Sequence, residues 1–429
     1  MSRPCLCGSS SCPLEAPPGH AGIFGDKSLE FSKDPVAFVE SSCERWKSRV
    51  FITRLALKQT LVIADYSVLT EFLANNLDNF YNGLKDNFSE LFGHSIMFAE
   101  PEEAARLRAL LLPLFSSGES SRRRDCLEGI LTRWGDNLDC SEPVNFYEEF
   151  KNLSLAYNIE MFMGVEREAD EVFYGEVSEL ARAHWHGVVS IPFSVSVPLL
   201  GSGGYKRAME AKTKLLDIIK DKLENNRTNS EFCDELKTKN DSVMSDETMY
   251  NHMLLFSCAL IPKGIASVLS MFLEMSPKWV HLLTDAGTLS EDNLECVLLE
   301  VMRMFPPFTG GLRVAVRAAR VGPYHVPAGA TVHYSLLAAM RDPRAFLHPE
   351  QFLPARWRRV EERGRNLAFS TGPHDCIGRH FAMDCLRHMA AFLLDHFTFL
   401  PPPACPPAIK QLPVLRPKHP HAFTVARKL

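Results

Sequence analysis

This 429-residue chain is marked first by absences. No segment reaches the ~18 consecutive apolar residues of a membrane-spanning helix. None of its 12 cysteines forms a C-x-x-C pair, so no zinc framework is legible. Neither sign of charge dominates. Lys+Arg number 47 and Asp+Glu 52, and a net charge of −5 excludes a global basic field for nucleic acid. There is no internal repeat. The N-terminal stretch lacks the apolar core of a secretory signal, so the cysteines read as reduced and the protein as intracellular, with no transmembrane anchor in this chain.

The composition is 46% hydrophobic and 23% charged, enough to bury a large core and enclose an apolar ligand. Residues 1–13 read as a disordered tail. Cys5, Cys7 and Cys12 there are either unmodified or carry acyl chains. Runs over 49–55 and 60–64 read as a β-hairpin turning at Leu57-Lys58-Gln59. Helices are expected at 67–75, 102–115, 149–163, 169–186, 205–225 and 246–275. Residues 322–335 alternate around a Pro-Ala-Gly turn and read as a second hairpin. The uncharged segment 187–201 is too short to span a bilayer. It reads either as core packing or as a peripheral membrane contact.

The most informative stretch is Phe369-Ser-Thr-Gly372-Pro-His374-Asp-Cys376-Ile-Gly378-Arg-His-Phe-Ala382. It places one cysteine in a glycine-flanked loop that runs into an amphipathic helix over 377–397. A thiolate presented this way can serve as the axial ligand of a heme iron. Gly372 and Gly378 are expected to let the backbone turn and approach a porphyrin. N–H groups at the start of the helix are expected to stabilise the sulfur's charge. Ala382 keeps the first helical turn slim.

Two further motifs precede it. Leu298-Leu-Glu300-Val-Met-Arg303-Met-Phe-Pro-Pro307 sets a carboxylate and a guanidinium three apart in apolar surroundings. A charge pair there must be satisfied. Downstream, Pro354-Ala-Arg356-Trp357 supplies a second arginine.

These three anchors, in this order, resemble the cytochrome P450 (heme-thiolate) family over essentially residues 14–415. The resemblance implies a mostly α fold with small β-sheets (α+β). It would pair a helical heme-binding domain with a small β-rich N-terminal lobe, as one domain over 14–429. It implies heme b as cofactor, Cys376 as iron ligand and Glu300, Arg303 and Arg356 as a structural triad. Arg108, Arg313 and His374 fall at positions that hold heme propionates, although Ala104 stands where many relatives have an aromatic or histidine. The 36 residues from Gly264 to Glu300 are few for a membrane-bound eukaryotic member, so a linker helix is expected to be missing.

The pattern fails in the central helix. Most members carry an acid–alcohol pair there that delivers a proton for O–O cleavage. Here Lys263 stands at the acid position and Gly264 at the alcohol position. An alternative register puts Leu260 and Ile261 there instead. Pro262 and Gly264 are expected to kink the helix. Ser257, Ser267 or an ordered water could supply the hydroxyl. Lys263 could hold a substrate carboxylate, or snorkel to a polar edge.

The resemblance thus implies a monooxygenase acting on a sterol, retinoid or fatty acid, served by a flavoprotein reductase or a ferredoxin. The alternatives are a reductase-independent peroxygenase or fatty-acid hydroperoxide isomerase, and a catalytically silent heme-binding protein. The run 356–365 reads either as a basic docking face or as a solvated meander. The location implied is cytoplasmic or peripheral to a membrane such as the endoplasmic reticulum. Pocket walls are expected from 80–98, 187–201, the central helix and 308–312.

Overall fold

Alternation at residues 50–63 folds as a hairpin. In the computed structural model, β1 (Val50–Leu55) pairs antiparallel with β2 (Lys58–Ile63). Ala56 and Leu57 form the turn, with φ of 49° and 62°, and the turn therefore precedes the expected one. Two successive left-handed residues give the twist that a two-residue hairpin needs. The structure describes residues 16–22, 25–75, 77–116, 121–167, 169–190, 203–225, 230–284, 287–400 and 408–428. The expected tail, 1–13, and the part of the apolar segment beyond residue 190 lie outside the described residues.

The hairpin belongs to a five-stranded sheet in the order β1-β2-β7-β4-β3. Its other members are β3 (Phe80–Asn82), β4 (Gly310–Ala315) and β7 (Thr331–Ser335). The second expected hairpin does not form. β6 (Tyr324–Val326) pairs with β5 (Ala319–Val321), whereas β7 joins β2 and β4. The Pro-Ala-Gly turn is tied to β4 instead. Gly329 N–H donates to Ala315 O at 2.8 Å, and Ala315 N–H to Ala330 O at 3.0 Å. With the turn held against β4, the strand after it continues along β4 rather than folding back on β6.

The helices that frame the site are α1 (Tyr66–Asn75), α2 (Pro101–Ser116), α3 (Phe146–Met163), α4 (Glu171–Ser190), α5 (Asp246–Leu254), α6 (Leu260–Glu274), α7 (Glu291–Met304) and α8 (Arg379–His396). Several start at legible caps. Asn145 accepts from Glu148 N–H, Ser245 from Thr248 N–H and Ser290 from Asn293 N–H.

The single helix expected over 246–275 is interrupted. Residues Leu255–Ala259 form a π-helical segment between α5 and α6. Pro262 has no N–H to give to Cys258 O, and its ring would crowd that carbonyl. The wider turn just upstream accommodates the proline without breaking the rod. Among the described residues, Asp246–Glu274 is the one helix long and apolar enough to cross a membrane. Its apolar window is 83% buried inside the fold, so here it is a core helix. Its Phe256 packs in a cluster with Phe115, Phe162 and Phe232, with ring centroids 4.9–6.1 Å apart.

Glu300 and Arg303 are both fully buried on α7. Arg303 grips the carboxylate with two bonds of 2.9 Å and donates to Met340 O at 2.9 Å. Arg356 Nε donates to both Glu300 oxygens at 3.1 Å, Trp357 Nε1 at 2.9 Å and Leu353 N–H at 2.8 Å. One buried carboxylate thus serves two guanidinia, an indole and an amide. Asn366 adds a second tie, its amide donating to Leu299 O at 2.7 Å. These bonds fix the chain from 351 to 366, which leads into the cysteine loop.

Replacing Glu300 by Ala leaves the buried Arg303 cation without its counter-charge and the Trp357 indole and Leu353 amide without their acceptor. The unfolding free energy is expected to fall by about 3–5 kcal/mol. Denaturant titration of the variant against the parent protein measures it.

Candidate active site

The loop before α8 is closed by its own backbone. Cys376 N–H donates to Phe369 O at 2.9 Å, Asp375 N–H to Gly372 O at 3.1 Å and Ala382 N–H to Gly378 O at 2.8 Å. Gly372 has φ +81°, and a Cβ there would meet Leu73 O at 2.5 Å and Ala74 Cα at 2.9 Å. Its glycine is therefore demanded by the end of α1, not by an approach to a flat ligand as expected. At Gly378 a Cβ would sit 3.9 Å from Cys376 Sγ and from the Phe115 ring.

Cys376 is the one exposed cysteine among those described, yet its thiol is enclosed by protein. The exposure is to a partly open cavity of about 870 Å³. Burial pushes the thiol's pKa up, Asp375 adds to this, and the Gly378 N–H, Arg108 and Arg379 pull it down. A metal ion is what turns such a thiol into a thiolate outright.

The cavity runs from this loop to the central helix. Phe369, His374, Cys376, Gly378 and Ala382 line one wall. Leu255, Phe256, Leu260, Ile261, Gly264, Ile265 and Val268 line the facing wall. Arg108 and Arg313 lie at one side, and Ile96, Met97 and Ala99 at another. The 96–99 stretch is latched to α5 by His252. Ile96 N–H donates to its Nε2 at 2.9 Å, and its Nδ1 lies 2.7 Å from Thr248 O. Burial holds His252 down at about 4, which keeps the ring neutral and able to accept that bond.

Most polar side chains in this lining already have partners. Arg108 donates to Asp375 O at 2.7 Å and pairs with the Asp375 carboxylate. His374 lies 3.8 Å from Asp78, and burial lowers its pKa, helped by Arg313. Glu100 pairs with Lys85 at 2.8 Å, and Asn82 donates to Met97 O at 3.1 Å. Asp375 and Asp78 were not foreseen. Asp375 stands inside the cysteine loop without an assigned role and Asp78 lies in no motif, and only the fold brings them to the arginine and the histidine.

An apolar slot walled by a thiol on one side and an unhindered helix on the other, with cations at its edge, fits a heme. Cys376 would hold the iron, and Arg108, Arg313 and His374 would face the propionates.

The facing wall departs from expectation. Lys263 is not in it. Its ammonium lies over the Trp185 ring at 5.7 Å, and the residue is 8% exposed. Burial, Lys151 and Arg182 push its pKa down to about 8. It sits on the flank of α6 that packs toward α3 and α4, so it does not reach a ligand in the cavity. Gly264 does face the cavity, and a Cβ there would meet only Phe308 Cε2, at 3.8 Å. The serines proposed as substitutes are spent elsewhere. Ser257 donates to Met253 O at 2.7 Å and Ser267 to Leu415 O. The central helix therefore offers the cavity no acid and no hydroxyl. The basic run also reads differently. Arg356 points inward to Glu300, Arg363 pairs with Asp292 at 2.6 Å and Arg365 with Glu362 at 2.7 Å.

The Lys263 pKa lies near 8 in the folded chain and near 10.5 in the unfolded one. Between those values the unfolded chain binds more protons, so stability rises with pH there and the penalty is complete below 8. Lys263→Met is expected to raise stability at pH 7 by on the order of a few kcal/mol and to flatten the rise above pH 8. Denaturant titrations across pH 6–11, a range set roughly to bracket both values, check this.

Comparisons with known proteins agree with this geometry. A family model described as Cytochrome P450 matches residues 293–425. The mitochondrial cholesterol side-chain cleavage enzyme of Hypanus americanus is 35% identical over 105 residues, which are 24% of this chain and 20% of that protein. Cytochrome P450 26B1 of Homo sapiens is 25% identical over 333 residues, 68% of this chain and 62% of that protein. The matched stretch thus spans a fifth of the first relative and under two thirds of the second. Among solved structures, retinoic-acid-bound cyanobacterial CYP120A1 superposes with a TM-score of 0.76 at 21% identity, covering 97% of this chain and 100% of that one. Cytochrome P450EX alpha (CYP152N1) with myristic acid gives 0.77 at 17%, covering 96% and 100%. The fold, the cysteine loop and the buried Glu300 hub lead to one conclusion: over residues 293–425 this chain matches the Cytochrome P450 family, whose cofactor is heme b, and it shares that family's fold.

Proposed function

We propose that this protein is a heme-thiolate monooxygenase that acts on a lipophilic substrate of the sterol, retinoid or fatty-acid class, with residues 14–429 as one catalytic domain. The observation that carries this reading is the Cys376 thiol, which opens into a large, mainly apolar cavity. Bound heme would supply oxygen activation, with the cysteine sulfur donating electron density to the iron. The residues of this chain do the rest. Gly378 N–H, Arg108 and Arg379 stabilise negative charge at Sγ. Phe256, Leu260, Ile261, Ile265 and Val268 exclude water and bury the substrate's apolar body. The names of the relatives support the substrate class, since they include a cholesterol side-chain cleavage enzyme and a 25-hydroxyvitamin D-1 alpha hydroxylase. Electrons would come from a ferredoxin or a flavoprotein reductase. Arg358 and Arg359 are the exposed cations of the 356–365 run left to meet one.

A second reading rests on the bare distal wall. Without an acid or hydroxyl on the central helix, proton delivery must come from water or from the substrate itself. A peroxygenase or hydroperoxide isomerase needs no reductase and places less demand on that delivery. Lys263 does not support this reading, because its amine is turned away from the cavity.

A lipid panel assayed with heme-loaded protein separates the two. Substrate-dependent NADPH use with a reductase supports the first. Reductase-free consumption of a fatty-acid hydroperoxide supports the second. Position 264 has room for a Cβ, and Gly264→Thr is expected to raise the yield of product per NADPH if the first holds. It should leave hydroperoxide turnover unchanged or lower if the second does.

A further inference from the structure

Among the polar side chains that line the cavity, three have no hydrogen-bond or ion-pair partner among the described residues: Arg313, Tyr334 and Ser370. Two of them are neighbours on one sheet face. In the β4–β7 pairing Gly311 lies opposite Tyr334, and Arg313 lies opposite Val332. Side chains two apart on a strand share a face, so Arg313 and Tyr334 are diagonal partners there. Between them stands Gly311. A Cβ at this position would fall 2.3 Å from Tyr334 Oη and 2.4 Å from its Cζ. The ring therefore lies across the bare glycine backbone and occupies space that any other residue would fill.

Tyr334 is 8% exposed, and its ring also packs against Phe72, with centroids 6.3 Å apart. It lines the cavity together with Arg313. A buried phenol ordinarily finds a hydrogen-bond partner. The Tyr334 hydroxyl has no protein partner among the described residues and is not sealed in the core, so it is left open to the cavity for a ligand. This hydroxyl lies on the same sheet face as an equally uncommitted guanidinium. A guanidinium and a phenol at diagonal positions of one face, both donors and both lining the cavity, suit the two oxygens of one carboxylate.

We propose that Arg313 and Tyr334 form a carboxylate-binding pair, with Gly311 kept bare so that the tyrosine can lie across the strand. Two ligands carry that group: a heme propionate and an acidic lipid. The proposal rests on the heme reading of this cavity for the first source and is independent of it for the second.

Two readouts on heme-loaded protein distinguish the sources. One is the rate at which heme passes to apomyoglobin. The other is the spectral titration of a long-chain fatty acid against its methyl ester. Tyr334→Phe keeps the ring and removes only the hydroxyl. A hydrogen bond to a charged group implies a change of about tenfold or more. Faster heme loss, with both titrations unchanged, assigns the pair to a propionate. Weaker binding of the acid alone, with heme loss unchanged, assigns it to the substrate. Gly311→Ala should displace the ring and move the same readout in the same direction. Combining Tyr334→Phe with Arg313→Gln should cost less than the sum of the two, because they share one ligand. If Tyr334→Phe and Gly311→Ala leave both readouts at parental values, the proposal is overturned. A parent protein that takes up no heme would instead sink the cofactor reading, and calorimetric titration of the fatty acid would then decide the pair.

Discussion

One buried carboxylate organises the proximal half of this molecule. Glu300 has no access to water, and an ion in that position survives only if its lone pairs are filled. Arg303, Arg356, Trp357 and the Leu353 amide fill them. The cost of burying the charge is offset only when all of these donors arrive together. The carboxylate therefore fixes the chain around 353–357 against α7. That stretch and the Asn366 tie to Leu299 hold the loop in which Cys376 turns its thiol to the cavity. The hub touches no ligand itself, and its role is to leave the cysteine one place to be.

The cavity that results is polar on one side only. Around the loop, cations and carboxylates are paired: Arg108 with Asp375, and His374 with Asp78. Across from it the central helix presents carbon alone. That asymmetry suits a flat ligand with charged edges seated against the loop and an apolar molecule above it. It also narrows the chemistry. Electron push from the sulfur side is provided for, whereas proton delivery from the helix is not. The π-helical turn at 255–259 lies just upstream of Pro262, whose missing N–H and crowding ring it accommodates.

The sequence carried the parts of this site that depend on local spacing. The cysteine loop, the Glu300–Arg303 pair and Arg356 were legible because each is a short pattern with a physical reason for its spacing. The helices expected from periodicity formed with ends displaced by a few residues, whereas the helix over Ser121–Asn137 was not anticipated. What escaped depends on long-range placement. Asp375 meeting Arg108, the fate of Ser257 and Ser267, and the side of α6 from which Lys263 projects are set by packing between distant segments. The 322–335 stretch was misread because its turn bonds to β4 rather than joining its flanking strands to each other. Tyr334 left one faint signal, a Gly310-Gly311 pair in a strand, where glycine ordinarily marks the close approach of another group.

The central claim is that Cys376 is the proximal ligand of a heme held in this cavity. The carbon monoxide difference spectrum of the reduced, heme-loaded protein tests it most directly. The account predicts the long-wavelength band of a thiolate-ligated heme in the parent protein and its loss in Cys376→Ala. A Cys376→Ala protein that kept that band would contradict it.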